Sequence, residues 1–166
     1  YGPMVVDGDT IMTPGLVGWV PGSEHILEAV DPIEYGAIRY VFDHWSDGGE
    51  REHSVVVTTL DTTFTAYFNR EYYLDIISDY GSPYGEGWYA EGSYATFGVD
   101  SMDVTGTIRY IFQGWTGTGD GSYTGSNASH TVIMNNPIVE EADWLTQYYL
   151  EITYTGCDTL IPSQSG

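Results

Sequence analysis

The sequence predicts an all-β fold, two tandem small β-domains followed by a surplus C-terminal strand, and three observations predict it. The block Ile108-Arg109-Tyr110-Ile111-Phe112-Gln113-Gly114-Trp115 repeats Ile38-Arg39-Tyr40-Val41-Phe42-Asp43-His44-Trp45 at an offset of 70. A second block follows at an offset of 76, where Glu71-Tyr72-Tyr73-Leu74-Asp75-Ile76 recurs as Gln147-Tyr148-Tyr149-Leu150-Glu151-Ile152. Between these blocks the chain is short β-branched and aromatic runs, punctuated by Gly, Pro, Asp and Asn, with no long helical period. A fixed-offset match of this kind is the signature of an array of one structural unit.

Taken in order, Val5-Val6-Asp7-Gly8-Asp9-Thr10-Ile11 reads as a hairpin around an Asp-Gly turn. Read so, Tyr1-Gly2-Pro3 falls on Tyr80-Gly81, and the first unit lacks the Tyr-Tyr-Leu strand that opens the second. His25, Leu27 and Ala29 form an inward face that is matched by Ala95, Phe97 and Val99. In the Arg-Tyr-x-Phe-x-x-Trp segments, Tyr and Phe are two apart but Phe and Trp are three apart. Placing Tyr40, Phe42 and Trp45 in the core, with Tyr110, Phe112 and Trp115 as their counterparts, therefore needs a bulge, for which Gly114 is a natural site.

Strands then follow at residues 54–59 and 131–134, and at 64–68 and 142–145. The last of each pair runs almost unbroken into the next Tyr-Tyr-Leu strand, so neighbouring units are expected to be stiffly coupled. Tyr72, Leu74 and Ile76 alternate with Tyr73, Asp75 and Ile77, as a strand with one buried face does. Tyr148, Leu150, Ile152 and Tyr154 repeat that alternation. The expected units are residues 1–70, 71–146 and 147–166, the last being the opening strand of a third unit or a donor strand. Two accounts fit this phase: a window cut from a longer array, or a strand that completes another copy and so builds a head-to-tail homopolymer. An Ig-like sandwich and a β-grasp-derived sheet both fit the strand count of one unit.

Charge narrows the function. There are 24 Asp and Glu against 4 Lys and Arg, a formal net charge of −20, and all four cations are arginines. Such a surface repels phosphate backbones, so nucleic acid is excluded as a partner, and so is docking to anionic lipid. No apolar run approaches membrane-spanning length, so membrane insertion is not expected. Cys157 is the one cysteine, which rules out an intrachain disulfide framework. Without lysine, Lys–Asn isopeptide cross-links are impossible. Tyr1 looks like the start of a processed or excised segment.

The densest polar cluster is Asp43, His44 and Asp47 with Glu50, Glu52 and His53. Its carboxylates suit Ca²⁺ and its histidines Zn²⁺. Yet Asp43, His44 and Asp47 fall on Gln113, Gly114 and Gly117, so a solvated acidic turn is the simpler reading. The expectation is no cofactor and no metal, with Ca²⁺ the sole candidate. No Gly-x-Ser-x-Gly elbow or comparable nucleophile setting stands out. Trp19, Trp88 and Tyr89 could stack on sugars, although their matched positions point to packing. Asn127-Ala128-Ser129 is an N-glycosylation sequon beside the Gly117–Gly125 insertion, which is expected to be exposed.

The Tyr-Tyr-Leu strand, Gly-Glu-Gly-Trp-Tyr-Ala-Glu-Gly-Ser at 85–93 and Arg-Tyr-Ile-Phe-Gln-Gly-Trp at 109–115 together resemble extracellular β-repeats of archaeal and bacterial surface proteins. They are similar to divergent internalin B-type repeats. The first unit, with Pro-Gly-Ser-Glu-His at 21–25 and Arg-Tyr-Val-Phe-Asp-His-Trp-Ser-Asp-Gly-Gly at 39–49, resembles a variant found in archaeal surface proteins. The resemblance spans nearly the whole chain and implies an extracellular or cell-surface protein with a stalk-forming, layer-forming or adhesive role. It carries no catalytic residues. The expected function is thus a non-enzymatic structural protein of the cell surface that builds a filament, stalk or surface layer. Tyr148, Tyr149, Leu150, Ile152 and Tyr154 would form its self-association strand. The alternative is an adhesive or carbohydrate-binding module that recognises cell-surface glycans.

Overall fold

A computed structural model of the chain describes residues 2–58, 61–153 and 155–156. The fold is all-β, a sandwich of curled sheets, and no helix occurs among the described residues. The strands are β1 (Pro3–Val6), β2 (Asp9–Met12), β3 (Glu24–Ala29), β4 (Ile33–Tyr35), β5 (Ile38–Trp45), β6 (Glu52–Val56) and β7 (Ala66–Ile77). They continue with β8 (Gly87–Ala90), β9 (Tyr94–Gly98), β10 (Met102–Thr105), β11 (Ile108–Thr118), β12 (Ser129–Ile133) and β13 (Ile138–Tyr148). One sheet has the order β2-β1-β3-β6, and a larger one runs β10-β11-β13-β7-β5-β4 with β8 added on β7. The pair β12-β9 forms a third.

The first hairpin closes through Asp7 and Gly8, between the paired residues Val6 and Asp9. Both turn residues have positive φ, 50° and 87°, the geometry of a type I′ turn that Asp-Gly adopts readily. In β5 and β11 the bulge falls where the Phe-to-Trp spacing requires it. The register shifts between Phe42 and His44, and again between Phe112 and Gly114. A Cβ on Gly114 would lie 3.0 Å from the carbonyl oxygen of Gly125, which bridges to Trp115. The inserted loop presses on the bulge in the second unit, so His44 has a glycine as its counterpart.

Two cores result. Met4, Val6, Leu27, Ala29 and Val55 from the first sheet meet Trp45 of β5, with Phe42, Phe64 and Phe68 packed against them. Tyr72, Leu74 and Ile76 of β7 meet Ala95, Phe97 and Val99 of the β9 segment, with Trp115, Val132, Met134 and Ile138. Full burial of side chains such as Leu74 or Phe97 contributes about 1.5–3 kcal/mol each. Tyr40 and Tyr110 sit at the margins, Tyr40 edge-on to Tyr35 and Tyr110 stacked on Tyr80 at 3.6 Å. They lie on the sheet beyond the bulge, where the facing layer no longer covers them.

The Tyr148–Ile152 segment departs from the alternation seen in its sequence. Strand β13 ends at Tyr148, residues 149–153 form no strand, and Tyr154 lies outside the described residues. Tyr148, Tyr149, Leu150 and Ile152 are 66–84% exposed, against 0–7% for Tyr72, Leu74 and Ile76. The cause is the neighbourhood, not the residues. The distal half of β7 is flanked by β8 and by the parallel start of β13, whereas residues 149–153 pair with no strand among the described residues. The Gly117–Gly125 insertion also differs from an open loop. It folds back on β11, and Tyr123 is half-buried and stacked on His130 at 3.7 Å.

Glu140 of β13 is fully buried on the core side of the sheet, where the first unit has Phe64. One carboxylate oxygen accepts the Tyr123 amide at 2.7 Å and the other has no partner among the described residues. Burial pushes its carboxyl above the ordinary range, and the Tyr123 amide offsets only part of that. Stability from this group is therefore full below the ordinary glutamate range and is lost as pH rises through the raised folded value. Glu140→Gln keeps the acceptor and removes the charge. The variant is expected to be about 1 kcal/mol more stable at neutral pH, with the gain vanishing in acid. Thermal melts at both pH values check this.

Candidate functional site

The most distinctive geometry is a junction that occurs twice. Strand β7 pairs antiparallel with β5, setting Ile38 on Tyr72, Arg39 on Glu71, Phe42 on Phe68 and Trp45 on Ala66. Strand β13 pairs with β11 in the same register, setting Ile108 on Tyr148, Arg109 on Gln147, Phe112 on Trp144 and Trp115 on Ala142. The arginine stays in role while its partner changes. Arg39 binds Glu71 at 2.6 Å and lies 4.7 Å over the Trp88 ring. Arg109 donates to the Gln147 side-chain oxygen and lies 5.9 Å from the Tyr149 ring. The Tyr73 amide donates to Ala37, and the Tyr149 amide donates to Thr107.

At the first junction β7 does not stop. Its next residues form the second unit's opening strand, with Tyr72 on Tyr89 and Leu74 on Gly87 of β8. On its other side, Leu74 aligns with Ile138 and Ile76 with Glu140, in parallel. One 12-residue strand thus belongs to both units. Arg70 fastens the crossing by binding Glu91 at 2.9 Å, and the Tyr72 hydroxyl donates to the same carboxylate. These groups line a cleft of ≈590 Å³ with Tyr40, Val41 and Phe68, but the arginine and Glu91 already face each other.

The sequence-selected ligand cluster separates into two pairs. His44 Nδ1 meets Asp43 at 2.8 Å and stacks on Tyr67, while His53 Nε2 meets Asp47 at 3.1 Å and its Nδ1 faces the Glu50 carbonyl. Desolvation raises the Asp47 carboxyl, but the Gly49 amide and His53 outweigh it and hold the group below the usual range. Among the described residues no group of three or more His, Cys, Asp or Glu is placed to hold a metal ion.

The structure joins three residues that the sequence pattern does not connect. Ser23 Oγ lies 2.7 Å from His25 Nε2, and His25 Nδ1 lies 2.6 Å from Asp7. The connectivity matches a Ser-His-Asp triad. The proton inventory differs, because Ser23 Oγ also donates to the Val20 carbonyl at 2.6 Å. A hydroxyl has one proton, so Ser23, which gives its own to Val20, meets His25 as an acceptor and not as the proton donor that a triad serine is. The Gly22 and Ser23 amides are committed to Val57 and Val20, which leaves neither for an oxyanion. Ser93, the counterpart of Ser23, makes the same bond to Ala90 with alanine in place of the histidine. The trio acts as a clasp: Asp7 takes the Ile26 amide and His25, and so pins the hairpin turn to β3.

Chiefly the Ile26 amide, and then His25, hold the Asp7 carboxyl below its ordinary range. That stability is present above the ordinary aspartate range and is lost as pH falls through the depressed folded value. Asp7→Asn keeps the turn but not the charge. The variant is expected to melt slightly lower than the parent at neutral pH, with the difference closing as pH falls below the aspartate range.

The aromatic candidates for sugar stacking are engaged elsewhere. Trp19 stacks on His25 at 4.0 Å and packs on the first core. Trp88 lies between Arg39 and Tyr73, and the Tyr89 hydroxyl donates to the Gly85 carbonyl. The Asn127 side chain is exposed, while Ser129 of its sequon starts β12 and bonds Phe97 and Tyr84. No protein-family model, curated protein or solved structure matches the chain in comparisons with known proteins.

Proposed function

We propose that this chain is a non-enzymatic structural segment of a cell-surface or extracellular protein. Tandem β-units joined end to end build a filament, stalk or surface layer, exposing an acidic surface and an Asn127 open to a glycan. The observation that carries this reading is the duplicated junction. The β5–β7 and β11–β13 ladders share register, bulge and arginine, while the polar side chains around them change. Selection on a reactive or ligand-binding site would hold the polar residues, and selection on architecture would hold the frame. The sequence likeness to surface β-repeats supports the same reading, as does a net charge of −20 suited to a cation-rich exterior.

Electron microscopy of the concentrated chain, run beside a glycan-binding screen, tests it. Regular fibres or sheets without sugar affinity are the expected result. Saturable glycan binding that is lost on Trp88→Ala would replace this reading with an adhesive or carbohydrate-binding module.

A further inference from the structure

The second unit contains a template for how another strand meets the first. Its opening strand, the distal half of β7, lies between β8 and the first residues of β13. The counterparts of those flanks in the first unit, at offsets of 70 and 76, are residues 17–20 and 62–65. The local match is structural as well as sequential. The Ser23 amide bonds Val20 as Ser93 bonds Ala90, and the Ser46 amide bonds Thr65 where Thr116 pairs with Glu141. Trp19 packs on the first core, as Tyr89 packs on the second.

Yet residues 17–20 and 61–65 form no strand, whereas β8 and residues 138–141 do. Phe64 is partly exposed where Glu140 is fully buried. Leu16, Val17 and Val20 are 105%, 46% and 73% exposed. The first unit thus has both flanks of a strand slot and, among the described residues, no strand between them. Gln147–Ile152 repeats the sequence that fills the equivalent slot, and its apolar residues are exposed.

We infer that residues 147–153 of a second copy of this chain occupy the slot in the first unit, between residues 17–20 and 62–65. The inference rests on the structural reading above and names its partner and its register. The internal template sets Gln147 on Val20, Tyr148 on Trp19, Tyr149 on Gly18 and Leu150 on Val17, antiparallel. On the other side Glu151 aligns with Thr63 and Ile152 with Phe64, in parallel. Leu150 and Ile152 enter the first core as Leu74 and Ile76 enter the second, and Tyr149 meets Leu16 where Tyr73 meets Glu86. β13 would then cross from copy to copy as β7 crosses from unit to unit. The contact is head-to-tail and does not close on itself, so it propagates. A net charge of −20 opposes it in dilute buffer, so association strengthens with ionic strength.

Sedimentation velocity on the full chain at high ionic strength tests this with two variants at exposed positions. L150D/I152D removes the donor face and L16D/V17D the acceptor edge. The parent chain is expected to form concentration-dependent oligomers, and either variant alone to associate about 100-fold more weakly or worse. Mixed, the two variants retain one intact donor and one intact acceptor, and are expected to stop at 1:1 dimers. Oligomers of L150D/I152D equal to those of the parent would overturn strand donation, as would a parent chain that stays monomeric at every concentration. Regular fibres that survive L150D/I152D overturn the donated strand while leaving the structural reading intact. Saturable glycan binding by a chain that never associates overturns both.

Discussion

Leu74→Asp is expected to unfold the second unit, while Leu150→Asp, at the same position of the repeat, leaves the monomer's melting temperature almost unchanged. Leu74 is 0% exposed in the distal half of β7, between β8 and β13. Loss of its side chain alone costs about 2–5 kcal/mol. A carboxylate in its place adds the cost of an unpaired charge with no donor beside it. The sum matches the whole stability of a small β-unit, which is about 5–15 kcal/mol. Leu150 is 83% exposed, where substitutions stay within about 0.5 kcal/mol. Circular dichroism melts of the two variants separate the cases. Similar losses in both would mean that residues 149–153 are packed in the monomer.

Trp115→Ala is the second large effect, at about 3–5 kcal/mol. Trp115 is 1% exposed and meets Phe97 edge-on at 5.0 Å, with Phe112 at 5.5 Å. Its counterpart Trp45 offers an internal control. The Trp45 indole donates to the Arg51 carbonyl at 3.1 Å, whereas the Trp115 indole nitrogen is buried with no partner among the described residues. Phenylalanine removes a satisfied donor in one unit and an unsatisfied one in the other. Trp45→Phe is therefore expected to cost about 1 kcal/mol more than Trp115→Phe. Chemical denaturation of the two variants checks the difference, and equal losses would argue against the orphaned indole.

Much of the frame was legible in the sequence because it is written in spacing. The Phe-to-Trp interval of three residues located the bulges of β5 and β11, and Asp7-Gly8 located the first turn. The period-two runs gave the inward faces of β3, β7 and β9. What stayed hidden depends on neighbours. The Tyr148–Ile152 alternation is that of a strand, yet a ladder needs a flank, and residues 149–153 have none among the described residues. Glu140 looks like any surface acid until β7 and Tyr123 close over it. The Asp7–His25–Ser23 chain spans a hairpin, so no local motif announces it. One signal was available: His25 stands where the second unit has Ala95, a polar substitution on an inward face.

The central claim is that one architecture is repeated and that its units join through shared strands. Hydrogen exchange measured as a function of chain concentration tests it most directly. Residues 150–153 and 17–20 are expected to exchange fast when dilute and to become protected together as concentration rises, while β3 and β9 remain slow throughout. Fast exchange of both segments at every concentration would contradict it.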